Sequence, residues 1–169
     1  LAERAQAAGV RRFIFLSSVR AMGAPTTGAA RSEGDNSSDR SFYGAAKWKA
    51  EEGLRNGFAK SAMDIAIVRP ALVYGPGAKG NLHRLVRATR GGLPRPPALG
   101  ERSMIAVSDL VSLLCLLAED SPAGVNTWIA CGDEAYSTRA IHDAIRHAMG
   151  LQPAVAWLPL WAWRLAAQL

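Results

Sequence analysis

Two apolar runs without alternation constrain this chain most: Phe13-Ile14-Phe15-Leu16 and Ile65-Ala66-Ile67-Val68. A short strand with apolar side chains at every position is buried on both faces, as strands inside parallel sheets are. Between the runs, Tyr43, Lys47, Ala50, Leu54 and Phe58 recur at helical spacing from about Phe42 to Ala59. Strand, helix and strand in that order predict two parallel strands joined by a right-handed crossover. The fold class is therefore α/β. Ser41 is the candidate N-cap of the helix. The strands extend over Val10–Leu16 and Asp64–Arg69, the second ended by Pro70, and Gly9 closes a helix end at Leu1–Ala8.

Chemistry in open parallel sheets gathers outside the carboxyl ends of the strands. Ser17 and Ser18 lie there, and Tyr43 follows Ser18 by 25 positions. Lys47 comes four residues after Tyr43, so the phenol and the ammonium share one helix face. An unperturbed tyrosine titrates near pH ~10, and a cation within about 4–6 Å favours the phenolate. That pairing makes Tyr43 a usable acid/base near neutrality. The segment between, Val19–Arg40, is rich in Gly, Ser, Thr, Asp and Arg and reads as a long functional loop.

A strand-end serine followed by Tyr-x-x-x-Lys resembles the short-chain dehydrogenase/reductase superfamily. The runs Phe13-Ile14-Phe15-Leu16-Ser17-Ser18-Val19 and Arg69-Pro70-Ala71-Leu72-Val73-Tyr74-Gly75-Pro76-Gly77 look like its extended branch, the NAD-dependent sugar epimerases, dehydratases and 4-reductases, over residues 1 to about 150. The resemblance implies NAD or NADP as cofactor and a nucleotide-activated sugar as substrate. It assigns Tyr43 the proton transfer at the sugar oxygen, Lys47 the nicotinamide ribose, and Ser18 the substrate oxygen, with Ser17 its neighbouring alternative. Pro70 and Val73 fall in the segment that the family places against the nicotinamide. Leu72 stands where many relatives have Asn, which removes a polar contact. Asn81 and Arg102 resemble the residues that hold the nucleotide diphosphate, Arg102 through its two-pronged donor. A non-catalytic dinucleotide-binding scaffold, or a reductase of another small carbonyl compound, are the competing readings. The family also allows a homodimer.

The implied architecture is a Rossmann-like parallel sheet lacking its N-terminal strands (residues 1–73), with a smaller, mainly substrate-binding part (residues 74–169). Such folds open with a Gly-rich turn and a helix N-terminus that hold the pyrophosphate. No turn of that kind precedes Ser17, and Gly75-Pro76-Gly77 cannot replace it because Pro76 lacks the donor. The sequence thus reads as the later part of a longer protein, with expected weak binding of NAD(P) on its own and an unpaired sheet edge.

Farther along, Asn81 reads as the cap of a helix with Leu82, Leu85 and Val86 on one side and Arg84, Arg87 and Arg90 on another. Met104–Val107 predicts a strand, Asp109 the cap of an apolar helix to Glu119, Val125–Ala130 a strand, and Ser137 the cap of a helix over Thr138–Met149. Residues 154–169 predict a core helix rather than a membrane contact. The net charge of +6 comes from scattered arginines and suits an anionic small molecule better than nucleic acid. Cys115 and Cys131 read as small buried hydrophobes in a reducing, cytoplasmic setting. The three histidines have no ligand spacing, so no metal site is expected, and no apolar run is long enough for a membrane span.

Overall fold

The computed structural model describes residues 1–24, 30–37, 40–77, 80–155, 158–159 and 162–163. The elements in order are α1 (Ala2–Ala7), β1 (Arg12–Leu16), a 3₁₀ turn (Val19–Met22), α2 (Phe42–Phe58), β2 (Asp64–Pro70), β3 (Leu72–Tyr74), α3 (Asn81–Arg90), β4 (Arg102–Ala106), α4 (Val107–Glu119), β5 (Val125–Ala130), β6 (Ala135–Tyr136) and α5 (Thr138–Ala148). They divide into two compact units. One holds Leu1–Val73 and Ile105–Cys131; the other holds Tyr74–Met104 and the described residues from Gly132 onward.

In the first unit β1, β2 and β5 form a parallel sheet in the order β1-β2-β5. Phe13 faces Ile65 and Leu16 faces Val68 across one seam, while Ile65 faces Val125 and Pro70 faces Ala130 across the other. The unalternating composition of β2 now has its cause. Alternate side chains of a strand point to opposite faces. Ile65 and Ile67 pack with Leu54, Phe58, Met63, Phe13 and Phe15 on the face that carries α2. Ala66 and Val68 pack with Leu110, Leu117, Ile105 and Ala130 on the face that carries α4. Both faces are covered, so every position is apolar. Ile65, Ala66, Ile67 and Val68 are fully buried, and each large aliphatic side chain there contributes roughly 1.5–3 kcal/mol of transfer free energy.

The helix α2 starts where the sequence predicts. Ser41 is extended (φ −63°, ψ 161°) and its hydroxyl accepts from the Gly44 N–H at 3.2 Å. Ser137 likewise caps α5 by accepting from the Ala140 N–H at 3.1 Å.

Four expectations need correction. Asn81 is the first helical residue of α3, not its cap. Gly80 occupies that position at φ 80°, a backbone conformation favouring glycine, and no side chain caps the helix. Asp109 is not a cap either, because β4 runs straight into α4 without a loop and the helix begins after Ala106. Asp109 instead lies in the first turn, where the helix dipole favours an acid. Cys115 and Cys131 are exposed rather than buried. Leu110 and Leu117 occupy the core-facing stripe of α4, which leaves Cys115 off it, and Cys131 follows the end of β5. The long loop contains a 3₁₀ turn, and β3 and β6 are short strands that the composition of their segments hides. In the expected C-terminal helix, Trp157, Trp161 and residues 164–169 lie outside the described residues.

In the second unit β4 and β6 pair antiparallel, Arg102 opposite Tyr136 and Ser103 opposite Ala135. Arg95 grips both carboxylate oxygens of Asp143, Nε donating to Oδ1 at 3.1 Å and Nη2 to Oδ2 at 2.6 Å, and the bonds from Arg95 hold the Asp143 carboxyl below its usual range. His142 is fully buried, its Nε2 lying 3.2 Å from the Leu93 carbonyl.

Candidate active site

The carboxyl end of β1 and the start of α2 meet closely in the first unit. A Cβ added to Gly44 would stand 2.3 Å from the Arg20 carbonyl, so the approach needs a residue with no side chain. Gly44 adjoins Tyr43, and Arg20 belongs to the 3₁₀ turn whose N-cap is Ser18. Backbone contact thus brings the serine turn against the first turn of the tyrosine helix.

One helical turn on, the Lys47 ammonium donates to the Leu16 carbonyl at 2.8 Å. It lies 5.9 Å from the centre of the Tyr43 ring and 5.0 Å from that of Phe15. An ammonium has three donors, and the other two have no partner among the described residues. Tyr43 is 55% exposed, with its ring open to solvent beside the strand ends.

The two serines have different surroundings. Ser18 is half-buried and its Oγ accepts from the Arg20 N–H at 3.2 Å, and its own proton has no acceptor among the described residues. Ser17 is buried; its Oγ donates to Glu51 Oε1 at 2.5 Å, and its N–H donates to the Val68 carbonyl at 2.7 Å.

Glu51 is the residue that sequence reasoning missed. It is fully buried on α2, four residues beyond Lys47 and eight beyond Tyr43, hence on their face. Arg69, 1% exposed, donates to both its oxygens, with the shortest bond 2.6 Å from Nη2 to Oε2. Arg55 adds a bond of 2.9 Å to Oε2 and one of 3.1 Å to the Thr127 hydroxyl. Burial pushes the Glu51 carboxyl up, but the bonds from Arg69 and Ser17, the charge of Arg69 and the bond from Arg55 outweigh it, and the net shift is downward. Arg69 also donates to the Glu33 carbonyl at 3.0 Å, and the Glu33 carboxylate accepts from the Ile129 N–H at 3.0 Å. A signal was present in the sequence: Arg69 is a charge directly after the apolar run Ile65–Val68, and a buried charge needs a partner.

Trp48 sits beside this network with three guanidiniums around its ring, those of Arg40, Arg55 and Arg69 at 4.3, 5.3 and 5.7 Å. Together with Glu33, Glu52 and Thr127 it lines a cleft of about 360 Å³.

Of the remaining residues expected at the site, Pro70 is the buried last residue of β2, at the carboxyl end of the sheet. Val73 packs its side chain against the Ala66–Leu110 core cluster, which leaves mainly its backbone for a ligand. Leu72, in β3, is half-buried. Asn81 and Arg102 are exposed and belong to the second unit, and neither makes a side-chain hydrogen bond or ion pair among the described residues. Among those residues no group of three or more His, Cys, Asp or Glu is placed to hold a metal, and no helix is long and apolar enough to cross a membrane.

The family model described as "NAD dependent epimerase/dehydratase family" matches residues 1–130. The chain belongs to that family. Its similarity extends to a UDP-glucose 4-epimerase of Vibrio cholerae, 30% identical over the whole of this chain and 53% of that protein. An undecaprenol-linked N-acetylglucosaminyl-diphosphate 4-epimerase of Escherichia coli O157:H7 is 28% identical over 71% of this chain and 37% of its own length. Among solved structures, MoeE5 bound to UDP-glucuronic acid and NAD superposes with a TM-score of 0.76 at 28% identity, covering 91% of this chain and 53% of that one. The UDP-glucose 4-epimerase of Thermus thermophilus in complex with NAD has the same fold, with a TM-score of 0.75 at 22% identity over 90% of this chain. The chain spans about half the length of the Vibrio relative and of these two structures. The Rossmann-type α/β reading of the sequence agrees with all of these.

Proposed function

We propose that the protein containing this chain is an NAD(P)-dependent nucleotide-sugar 4-epimerase or 4-keto reductase, with Ser18, Tyr43 and Lys47 at its reacting centre. The observation that carries this is the close seam between the Ser18 turn and the start of α2, at the carboxyl ends of parallel strands. The curated relatives that are epimerases support it.

The residues fit the nicotinamide half of a dinucleotide. Lys47 has two donors without a partner among the described residues for a ribose diol, Tyr43 is open to solvent beside it, and Pro70 and the Val73 backbone complete the strand-end floor. When bound, the nicotinamide supplies the acceptance and return of hydride. The chain's own part is to handle the proton. Tyr43 takes the proton of the sugar 4-hydroxyl as its carbon is oxidised, and gives it back on reduction. Lys47, one turn along the same helix, holds the ribose beside it. Ser18, whose proton has no acceptor among the described residues, donates to the same sugar oxygen and fixes its position. Arg102 and Asn81 serve the diphosphate, and the first unit serves the cofactor.

Tyr43→Phe in the full-length protein tests this directly. It removes the proton carrier alone, and turnover of a UDP-sugar should fall on the order of 10²–10⁴-fold with the fold unchanged. Turnover within a factor of a few of wild type would remove Tyr43 from the mechanism.

A further inference from the structure

We propose that Glu51 is a positioning residue: with Arg69 it clamps the segment Leu16–Ser18 against α2 and so sets where the Ser18 hydroxyl stands relative to Tyr43 and Lys47. This rests on the function proposed above, and deepens it by naming what holds the site together.

Three consecutive residues leave β1, and each is tied separately. The Leu16 carbonyl is held by Lys47, the Ser17 hydroxyl by Glu51, and the Ser18 hydroxyl by the Arg20 N–H. Lys47 and Glu51 are one turn apart on α2, so two successive residues of the loop are pinned by two successive turns of the helix. The parity of the strands explains why the second tie is ionic. Phe13, Phe15, Ile65 and Ile67 point to the α2 face, and Ser17 and Arg69 continue the same odd-numbered rows. Glu51 stands on α2 where both rows end, and its oxygens accept from Ser17, Arg69 and Arg55. Arg69 then reaches on to the Glu33 carbonyl, which anchors the far part of the same loop.

Stability is a poor explanation for such a pair. Desolvating two charges consumes most of their attraction, and apolar replacements of similar volume are often neutral or stabilising. What a two-pronged guanidinium–carboxylate pair supplies that apolar packing does not is a fixed direction. The Ser17 bond uses that direction to place its neighbour.

The test is the double variant Glu51→Met with Arg69→Met in the full-length protein, which removes both fully buried charges and leaves Arg55, part-exposed, its bond to Thr127. Three quantities are read: kcat and KM with a UDP-sugar, urea unfolding, and amide hydrogen exchange at Ala21 and Gly23, whose N–H groups close the 3₁₀ turn on Ser18 and Arg20. The expected result is near-normal stability, a kcat lowered on the order of 10²-fold with KM little changed, and exchange at Ala21 and Gly23 at least about tenfold faster while β2 stays protected. Ser17→Ala is the second variant, for use whether or not the double variant folds. It keeps the ion pair intact and cuts only the tie to the loop, and it should speed the same two amides and lower kcat in the same direction. A merely structural pair would leave Ser17→Ala indistinguishable from wild type in both readouts, and that result overturns the proposal. Faster exchange with unchanged kcat also overturns it. A wild-type protein with no turnover of nucleotide sugars would refute the proposed function instead, and unchanged exchange in the variants would still refute the clamp.

Discussion

Gly44→Ala sets two opposing effects against each other on one helix. Alanine is favoured over glycine within a helix by roughly 0.8–1 kcal/mol, less in the first turn. Against this, the new Cβ would lie 2.3 Å from the Arg20 carbonyl oxygen and 3.1 Å from its carbon. That is roughly 1 Å inside ordinary contact, and the obstacle is backbone, which cannot swing aside as a side chain does. Overpacking of this kind costs about 1–3 kcal/mol, so the overlap wins and a net loss of about 1–2 kcal/mol is expected. Gly53→Ala and Gly57→Ala are internal controls. Both lie in the same helix with nothing within 4 Å of the added carbon, and each should stabilise by about 0.5–1 kcal/mol. Urea unfolding of the full-length protein, followed by circular dichroism, reads all three midpoints. Because the displaced helix start carries Tyr43, Gly44→Ala should also lose about 10²-fold in turnover, whereas the controls should not. A Gly44→Ala midpoint at or above wild type, rising with those of Gly53→Ala and Gly57→Ala, would refute the close seam on which the site is built.

Further outcomes follow from the ionised groups and from the motif content. Because the folded state depresses the Glu51 carboxyl, its stabilisation is present above the ordinary glutamate value of 4.5 and is lost as the pH falls through the lowered value. Urea midpoints should therefore drop with pH below about 4.5 in wild type, and less steeply in Glu51→Met/Arg69→Met; equal slopes would contradict this. Arg102→Ala should weaken UDP binding to the full-length protein by about 1.5–3 kcal/mol, read by calorimetric titration, with unchanged affinity returning Arg102 to a plain surface charge. The 169 residues on their own should show no micromolar affinity for NAD⁺ or NADPH, since no Gly-rich turn precedes Ser17, and a micromolar dissociation constant by calorimetry would contradict that.

The parts of this fold that were legible in the sequence are those fixed by local chemistry. The unalternating run of β2 announced burial on both faces, whereas β1, read in the same way, is only half-buried with Leu16 exposed; Ser41 and Ser137 announced their helices, since each hydroxyl caps a nearby N–H. The spacing of Tyr43 and Lys47 placed both on one face of α2. Glu51 was not legible in the same way: in Lys49-Ala50-Glu51-Glu52 nothing local separates the buried acid from its exposed neighbour. Only its partner, 18 residues away on a strand, makes the difference. Helix starts at Gly80 and Ala106 escaped for a related reason, because backbone conformation and a direct strand-to-helix passage replaced the polar cap that a reader looks for. Cys115 escaped because α4 is apolar on more than its core-facing stripe.

The odd and even rows of β2 also decide how the sheet can be assembled. A slip of that strand by one residue would exchange the two faces. The apolar positions could tolerate such an exchange, since Ile, Ala and Val suit either side. Arg69 could not: it would be turned away from Glu51 and toward Leu110 and Leu117, an unpaired guanidinium in an apolar layer. Losing the partner of a buried charge costs about 3–5 kcal/mol, a large share of the total stability of an ordinary domain. The ion pair thus works as a register key, admitting one alignment of β2 between β1 and β5 and rejecting those one residue away.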